Sequence, residues 1–225
     1  MVNVKRQTLI AAFSMFGFVV LWTILTDAWN YSAFLFPENL LVVGKYLYGY
    51  FSRILWMFPA FFLIFRFDKS LFWSRKQLFS RPKLEPVFIV FMVYTTIYAL
   101  ASMAVKYHSW YITDESLLLI TVKFLIVGIG EEVVFRGWGY NLLKRVQAGT
   151  MPLIISAFLF TVLHWPAYFI KLFLYGQFDL AGFVIQSISA LIYGLLFAVM
   201  LKRSETLWNS IIAHFYYDWV LAVLV

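Results

Sequence analysis

The segment LIVGIGEEVVFRGWGYNLL, residues 125–143, is strongly apolar and yet contains Glu131, Glu132 and Arg136. A charged side chain near the centre of a bilayer costs roughly 2.5 to 3.5 kcal/mol on membrane-insertion scales, so it needs a partner or a water-filled cavity. A segment of this kind therefore predicts a membrane helix whose charged residues face the interior of a bundle.

Two further apolar segments repeat the combination. Residues 154–170, IISAFLFTVLHWPAYFI, contain His164, and residues 211–225, IIAHFYYDWVLAVLV, contain His214 and Asp218. Intramembrane ionisable residues usually mark function. Three such segments predict one shared polar site.

The composition supports a membrane protein. Hydrophobic residues make up 63% of the 225 residues and charged residues only 13%, whereas about a quarter of a typical globular chain is charged. The absence of cysteine excludes a disulfide framework, a thiolate nucleophile and a zinc–thiolate site. The basic residues that give the net charge of +7 lie mainly in loops between apolar segments. The positive-inside rule explains this placement better than nucleic-acid binding does.

Apolar segments of about 20 residues, the length of a transmembrane helix, recur along the whole chain. They are too long and too uniformly apolar for the alternating strands of a barrel. The predicted fold class is therefore an all-α integral membrane protein, a bundle of about seven transmembrane helices around a polar intramembrane cavity. The predicted spans are residues 9–25, 40–65, 86–105, 117–143, 152–175, 181–201 and 207–225; Lys45 and Arg53 interrupt the second span.

The chain is predicted to consist of an N-terminal transmembrane and basic interfacial segment, residues 1–85, and a core, residues 86–225. Lys5 and Arg6 precede the first apolar run as in a signal peptide, but no small-x-small cleavage site follows, so we expect a retained anchor. Residues 66–86 predict an amphipathic stretch at the membrane surface. Its apolar residues are Leu71, Phe72, Trp73, Leu78 and Phe79.

The basic residues also predict the orientation. Nearly all of the basic loop residues lie in alternate loops, which share one side of the membrane. The loops on the other side contain only Lys106 and Lys171. By the positive-inside rule the N-terminus is cytoplasmic and the C-terminus lies outside. The predicted location is a bacterial plasma membrane.

Helical geometry separates the residues of the first segment. Glu132 and Arg136 are i,i+4 neighbours about 40° apart, which predicts an ion pair, whereas Glu131 points about 100° away from Glu132 and is left to face a cavity. The alternative is a purely structural clamp of all three residues.

The two histidine segments have similar alternatives. His164 is either hydrogen-bonded structure or part of a catalytic site, and Pro166 is expected to kink the helix and free backbone carbonyl groups. His214 and Asp218 share a helix face and either satisfy each other or act together in a site. At 1.5 Å per residue, the predicted depths of Glu131, His164 and Asp218 are about 17 to 20 Å and that of His214 is about 11 Å, so all four lie within reach of one level.

Such a set can perform hydrolysis. Glu131, with a histidine, can activate a water molecule as general base, and a second histidine with a polar neighbour can stabilise an oxyanion. Peptide-bond hydrolysis without a covalent intermediate follows. No Gly-x-Ser sequence supports a serine protease; His164, His214 and Glu131 could ligate zinc, but there is no HExxH motif, and no metal or cofactor is expected.

Three motifs together resemble one family. EExxxR is present at residues 131–136, FxxxH at 160–164 and HxxxN/D at 214–218, and Arg136-Gly137 and the run SETLWNSI at 204–211 are also similar. Their order and spacing, within residues 86–225, resemble the CPBP family of intramembrane endopeptidases, the CAAX proteases and bacteriocin-processing enzymes, also called the Abi family.

The resemblance implies helices around a conical cavity and a glutamate-dependent, metal-independent peptidase. Carried over, Glu131 and His164 activate the water, His214 and the residue at 218 form the oxyanion hole, and Glu132 and Arg136 support them. Position 218 departs from the family, in which Asn is common. Because an ionised Asp cannot donate a hydrogen bond, Asp218 must be protonated or orient His214, or else the proteolytic assignment fails.

Three functions are compatible with a polar site of this kind. The first is an endopeptidase that processes a small membrane-associated or lipidated peptide. The second is a non-catalytic bacteriocin self-immunity or partner-binding membrane protein, which would keep the cavity for recognition. The third is a transporter with a proton relay, but the broken helix pairs in two related halves that a transporter predicts are not visible in the sequence. The complete motif set favours the first.

Overall fold

The computed structural model describes residues 4–32, 38–106 and 116–224, and its described elements are all helical. A π-helix, Val133–Tyr140, joins α5 to α6 without a break in the helix. The α-helices are α1 (Val4–Ser32), α2 (Glu38–Arg66), α3 (Arg75–Leu78), α4 (Pro86–Lys106), α5 (Leu117–Glu132), α6 (Asn141–Val146), α7 (Met151–Val162), α8 (Pro166–Tyr175), α9 (Leu180–Ser204) and α10 (Leu207–Leu224).

Five helical stretches of the described chain are long and apolar enough to cross a membrane, and each coincides with a predicted span. The all-α membrane class is therefore confirmed, while the count of seven spans stays a prediction. The five stretches are Leu9–Ala28, Val43–Arg66, Pro86–Val105, Met151–Tyr175 and Leu180–Ser204.

The other two predicted spans are helical as well. Residues 117–143 lie in one continuous helix that runs from α5 through the π-helix into α6, and α10 carries Asn209, His214 and Asp218. α5 packs against both α2 and α10, and every residue of the π-helix is buried. The charged residues of the first segment thus lie inside the bundle, where intramembrane charges are tolerated.

The N-terminal helices share one hydrophobic core with the helices of the predicted core region. The Trp56 indole of α2 donates a hydrogen bond to the carbonyl of Phe18 on α1 at 2.7 Å, and the Trp138 indole of the π-helix donates to the Ser14 hydroxyl at 2.8 Å. Residues from both parts therefore surround the π-helix. Buried members of this core include Met15, Trp56, Ile64, Phe135, Tyr140, Phe160 and Leu207.

The π-helix has no counterpart in the sequence analysis. Its i→i+5 hydrogen bonds make a wider turn than an α-helix, so the angle of 100° per residue ceases to apply at Val133. The Ser156 hydroxyl of α7 donates to the carbonyl of Phe135 at 3.0 Å. A Cβ atom at Gly139 would collide with the Met15 side chain of α1, which would then have to shift, so glycine allows Met15 to lie close to this turn.

The basic stretch after α2, predicted to be amphipathic and to lie at the membrane surface, turns its apolar side to the protein. Leu71, Trp73 and Leu78 are at most 4% exposed and belong to the core, whereas Phe72 is 47% exposed. The Asn141 side chain accepts a hydrogen bond from the backbone N–H of Trp73 at 2.7 Å and donates to its carbonyl at 2.9 Å. This amide contact holds the stretch against the end of the π-helix, so most of its apolar side chains are buried in protein.

Candidate active site

Glu132 lies at the centre of the site. Its side chain is fully buried, and its Oε1 atom accepts hydrogen bonds from Arg136 Nη1 at 3.0 Å and from His214 Nδ1 at 2.9 Å. The Glu132–Arg136 ion pair predicted from the i,i+4 spacing is confirmed. The contact with His214 joins the first and third polar segments.

Arg136 is held on several sides. It is fully buried, its Nη2 donates to the carbonyl of Gly194 on α9 at 2.9 Å, and its guanidinium lies 4.3 Å from the ring centre of Phe160 and 5.5 Å from that of Phe197. Cation–π contacts of this kind are strong when they are desolvated. Arg136 therefore connects the π-helix to α7 and α9 while it compensates the charge of Glu132.

The hydrogen bonds of His214 determine the orientation of its ring. A carboxylate only accepts hydrogen bonds, so the Nδ1 atom that faces Glu132 carries a hydrogen. Nε2 then lies 3.7 Å from Oε2 of Glu131 and 3.5 Å from Oδ2 of Asp218. The ring stacks on Phe197, with centres 4.9 Å apart and planes 21° apart. Nε2 is thus directed between two carboxyl groups.

The Glu131 carboxyl group is directed at Nε2 of His214. Its side chain is 13% exposed, and its Oε2 is buried without a hydrogen-bond partner among the described residues. A buried carboxyl oxygen without a partner is rare in folded proteins, so such a group calls for an explanation. Here it leaves an acceptor available beside Nε2 of His214.

A glycine allows α10 to come this close to α5. A Cβ atom at Gly128 would lie 3.1 Å from the backbone nitrogen of Phe215 and 3.2 Å from the carbonyl oxygen of Ile211. The α10 backbone therefore packs directly on α5, one turn before the two glutamates. This close approach brings His214 within reach of both of them.

His164 lies in the interruption between α7 and α8. Its Nδ1 is 2.9 Å from the carbonyl oxygen of Phe160, and because a carbonyl only accepts, Nδ1 carries a hydrogen; in the neutral form of the ring, Nε2 is then an acceptor. Pro166 begins the next helix, as the sequence predicts. The helix break thus frees a carbonyl group that orients the imidazole.

The six predicted residues are not equally close. Both imidazoles pack on Phe160, His164 with its ring centre 5.1 Å from that of Phe160 and His214 with its ring centre 5.8 Å away. His164 forms no ion pair with a carboxyl group in the described residues. Its contact with the cluster is through the Phe160 ring, which also packs on His214. The residues in direct contact are Glu131, Glu132, Arg136, His214 and Asp218.

One contributor to the site is not predicted from the sequence. Phe197 of α9 supplies the face on which His214 stacks, and a phenylalanine in an apolar helix gives no signal of such a role.

The zinc set considered from the sequence is not assembled. Within residues 4–32, 38–106 and 116–224, no three or more His, Cys, Asp or Glu side chains are grouped to hold a metal ion. His214 instead directs one ring nitrogen to Glu132 and the other to the pair Glu131 and Asp218.

Comparison with known proteins agrees with the motifs. A family model described as type II CAAX prenyl endopeptidase Rce1-like matches residues 113–220, just under half of the chain. The match includes all six predicted site residues and confirms the resemblance to the CPBP family over this range. No curated protein and no solved structure matches the chain significantly.

Proposed function

Because residues 113–220 are Rce1-like, we propose that this protein is an intramembrane endopeptidase that hydrolyses a peptide bond with a water molecule activated by Glu131 and His164. One observation carries the proposal. Three carboxyl groups from the matched region converge on His214 inside a helical bundle, and Arg136 pairs with one of them, Glu132. A buried cluster of titratable groups is the usual setting for acid–base chemistry.

Glu131 is the proposed general base. Its Oε2 has no hydrogen-bond partner among the described residues and is available to accept a proton from water. The hydroxide so formed attacks the carbonyl carbon of the peptide bond, and the same proton passes to the amine that leaves. His164, with Nε2 as an acceptor, assists by orienting the water.

His214 and Asp218 are proposed to stabilise the oxyanion. A proton held at Nε2 of His214, between Glu131 and Asp218, can be donated to the developing charge. Glu132 fixes Nδ1 and thereby the ring, and Arg136 compensates Glu132. Asp218 serves this role either as a protonated donor or by orienting His214.

The proposed substrate is a small membrane-associated or lipidated peptide. An intramembrane site receives its substrate through the bilayer or from its surface, so an apolar anchor on the peptide favours access. We also propose that the N-terminus is cytoplasmic, that the C-terminus lies outside, and that the membrane is a bacterial plasma membrane.

The test uses the full chain in proteoliposomes with an internally quenched, farnesylated CAAX peptide as the probe. Wild-type protein should cleave the probe once, as mass spectrometry of the products will show. Glu131→Gln should reduce the rate by about 100-fold or more, the usual contribution of a general base, without changing thermal unfolding.

Two results contradict the proposal. One is the absence of hydrolysis by wild-type protein of both the farnesylated probe and a palmitoylated peptide of the same sequence. The other is an unchanged rate in Glu131→Gln. If wild-type protein and the Glu131→Gln variant confer bacteriocin immunity equally well, the function is instead the non-catalytic one.

A further inference from the structure

An open apolar groove lies between α1 and α7 on the outer surface of the bundle. Its volume is about 570 Å³, and all nine side chains that line it are apolar. Six of them are 47 to 71% exposed, namely Leu9, Phe13 and Phe16 of α1 and Met151, Ile154 and Phe158 of α7. In a membrane-spanning bundle such a groove is open to the hydrocarbon chains of the lipid.

The groove begins at the surface of the membrane. Its lining positions, 9–16 on α1 and 151–159 on α7, extend about 10 to 12 Å along each helix at 1.5 Å per residue. Both ranges start where the apolar stretches Leu9–Ala28 and Met151–Tyr175 start. Since one leaflet supplies roughly 15 Å of hydrocarbon, half of the bilayer core, the groove lies within a single leaflet.

Basic residues of α6 lie at the surface end of the groove. The Lys144 ammonium group donates a hydrogen bond to the carbonyl of Gly149 at 3.4 Å, two residues before Met151. Arg145 follows in the last turn of α6, where it is exposed and forms no ion pair within the part of the chain that the structure describes. The loop that leads into α7 therefore carries positive charge.

α1 adds two basic positions at the same end. α6 packs against α1, and Lys5 and Arg6 precede Leu9 on α1 by about one turn. We call Lys5, Arg6, Lys144 and Arg145 the basic rim. The sequence has no Asp or Glu in residues 1–26 or 133–178, so no acidic residue near the rim in the chain offsets its charge. The complementary group is an anion at the membrane surface, which the phosphate of a lipid headgroup supplies.

The groove and the candidate active site lie on opposite sides of α7. Phe158 and Phe160 are two residues apart and point about 160° away from each other on the helix. Phe160 packs on the rings of His164 and His214, whereas Phe158 lines the groove. This separation favours a resident membrane lipid over the lipid anchor of a substrate, whose peptide bond has to reach the imidazoles.

We propose that the groove binds an anionic phospholipid, with one acyl chain between α1 and α7 and the phosphate at the basic rim. Apolar area and positive charge are the two features that bind an anionic lipid to a membrane protein, and they adjoin here. The bound lipid would hold the N-terminal helix against α7. This inference goes beyond the proposed function and does not depend on hydrolysis.

The test uses the full chain in nanodiscs of unlabelled phosphatidylcholine. The probe is a trace of phosphatidylglycerol with a photoactivatable diazirine in one acyl chain, and the matched probe is phosphatidylcholine with the same chains. After illumination, mass spectrometry of peptides locates the labelled residues. The phosphatidylglycerol probe should label residues 9–16 and 151–159 more strongly than the matched probe does, and more strongly than it labels the exposed apolar residues of α4.

One pair of variants tests the basic rim. Arg145→Gln should lower labelling of the groove by phosphatidylglycerol about fivefold, the usual contribution of one basic residue near an anionic membrane surface. The matched control is Lys202→Gln, because Lys202 is an exposed cation in the last turn of α9 and lies outside the rim. It should label as wild type.

A second pair tests the groove itself. Ala12→Trp places a bulky ring among the lining side chains and should reduce labelling of residues 151–159 to the level of the matched probe. Ala101→Trp, at an exposed position of α4, is the control and should label as wild type. Thermal unfolding in detergent shows whether the variants fold, and Ala12→Leu replaces Ala12→Trp if the larger side chain prevents folding.

Three results overturn the inference. Equal labelling by the two probes, or labelling spread evenly over the exposed apolar residues of α4, would show only bulk lipid around the bundle. An unchanged pattern in both Arg145→Gln and the Ala12 variant would separate the lipid from the groove. Displacement of the probe by a farnesylated peptide but not by unlabelled phosphatidylglycerol would assign the groove to the substrate. The labelling needs no hydrolysis, so failure of the proposed function would leave its outcome unaffected.

Discussion

The Nδ1 atom of His214 lies 2.9 Å from Oε1 of Glu132, the same oxygen that pairs with Arg136. One carboxylate therefore joins a cation from its own helix and an imidazole from a helix 82 residues further along the chain. This shared oxygen makes the orientation of the imidazole depend on the Glu132–Arg136 ion pair. The loss of Glu132 is therefore expected to affect folding and the proposed activity together.

Glu132→Gln should leave Arg136 buried without a compensating charge. The expected loss in unfolding free energy is about 3 to 5 kcal/mol, the usual effect of removing one partner of a buried ion pair. Denaturant unfolding in detergent measures it. The matched control Glu205→Gln, in a pair with Lys83 whose side chains are both more than half exposed, should lose less than about 1 kcal/mol. Equal losses in both variants would contradict the central position of Glu132.

His164→Asn should separate hydrogen bonding from proton transfer. The asparagine amide can still donate to the carbonyl of Phe160, but it has no basic nitrogen in place of Nε2. We expect a fall in kcat of about 100-fold with little change in KM or in thermal unfolding. Steady-state kinetics with the farnesylated probe test this, and retention of the wild-type rate would show that His164 is only structural.

Gly128→Ala should force α10 away from α5, because the added Cβ would lie 3.1 Å from a backbone atom that cannot rotate away. The expected destabilisation is about 1 to 3 kcal/mol, as for other overpacked interiors, with a loss of activity as His214 withdraws. Gly17→Ala is the control, since a Cβ there meets nothing within 4 Å. It should be neutral or slightly stabilising, and equal effects of the two substitutions would contradict the close packing.

The predicted orientation can be tested with single cysteines, because the chain has none of its own. Lys76→Cys, in the basic stretch after α2, should react with a membrane-impermeant maleimide only when the cytoplasmic face is accessible. Gln177→Cys, between α8 and α9, should react from the opposite side. Both positions are exposed in the structure, so a failure to react on the expected side indicates the reverse orientation.

Local features of the structure could be predicted from the sequence. The Glu132–Arg136 pair follows from an i,i+4 spacing, and the interruption after His164 follows from Pro166, because each depends on a single turn of helix. The apolar lengths likewise indicate the five long stretches. Each of these signals is contained within its own segment.

Contacts between distant segments could not be predicted in the same way. The bond from His214 to Glu132 depends on the approach of α10 at Gly128, and a glycine in an apolar helix does not specify which helix packs against it. The π-helix packs against α1, α2 and α7, and no periodicity in its sequence indicates a wider turn. The sequence around Leu71 and Trp73 predicts an amphipathic stretch, but it does not indicate that Asn141 holds this stretch against the bundle.

The π-helix has a consequence for evolution and for protein engineering. Its wider turns contain more residues than an α-helix of the same length would need, and π-bulges of this kind occur frequently at functional sites. A variant with one residue deleted within 133–140 should form an ordinary α-helix there and unfold at a higher temperature. The same deletion should rotate Glu132 and Asn141 out of register with each other. The same deletion would then raise thermal stability and abolish catalytic turnover, which is a trade-off between stability and activity.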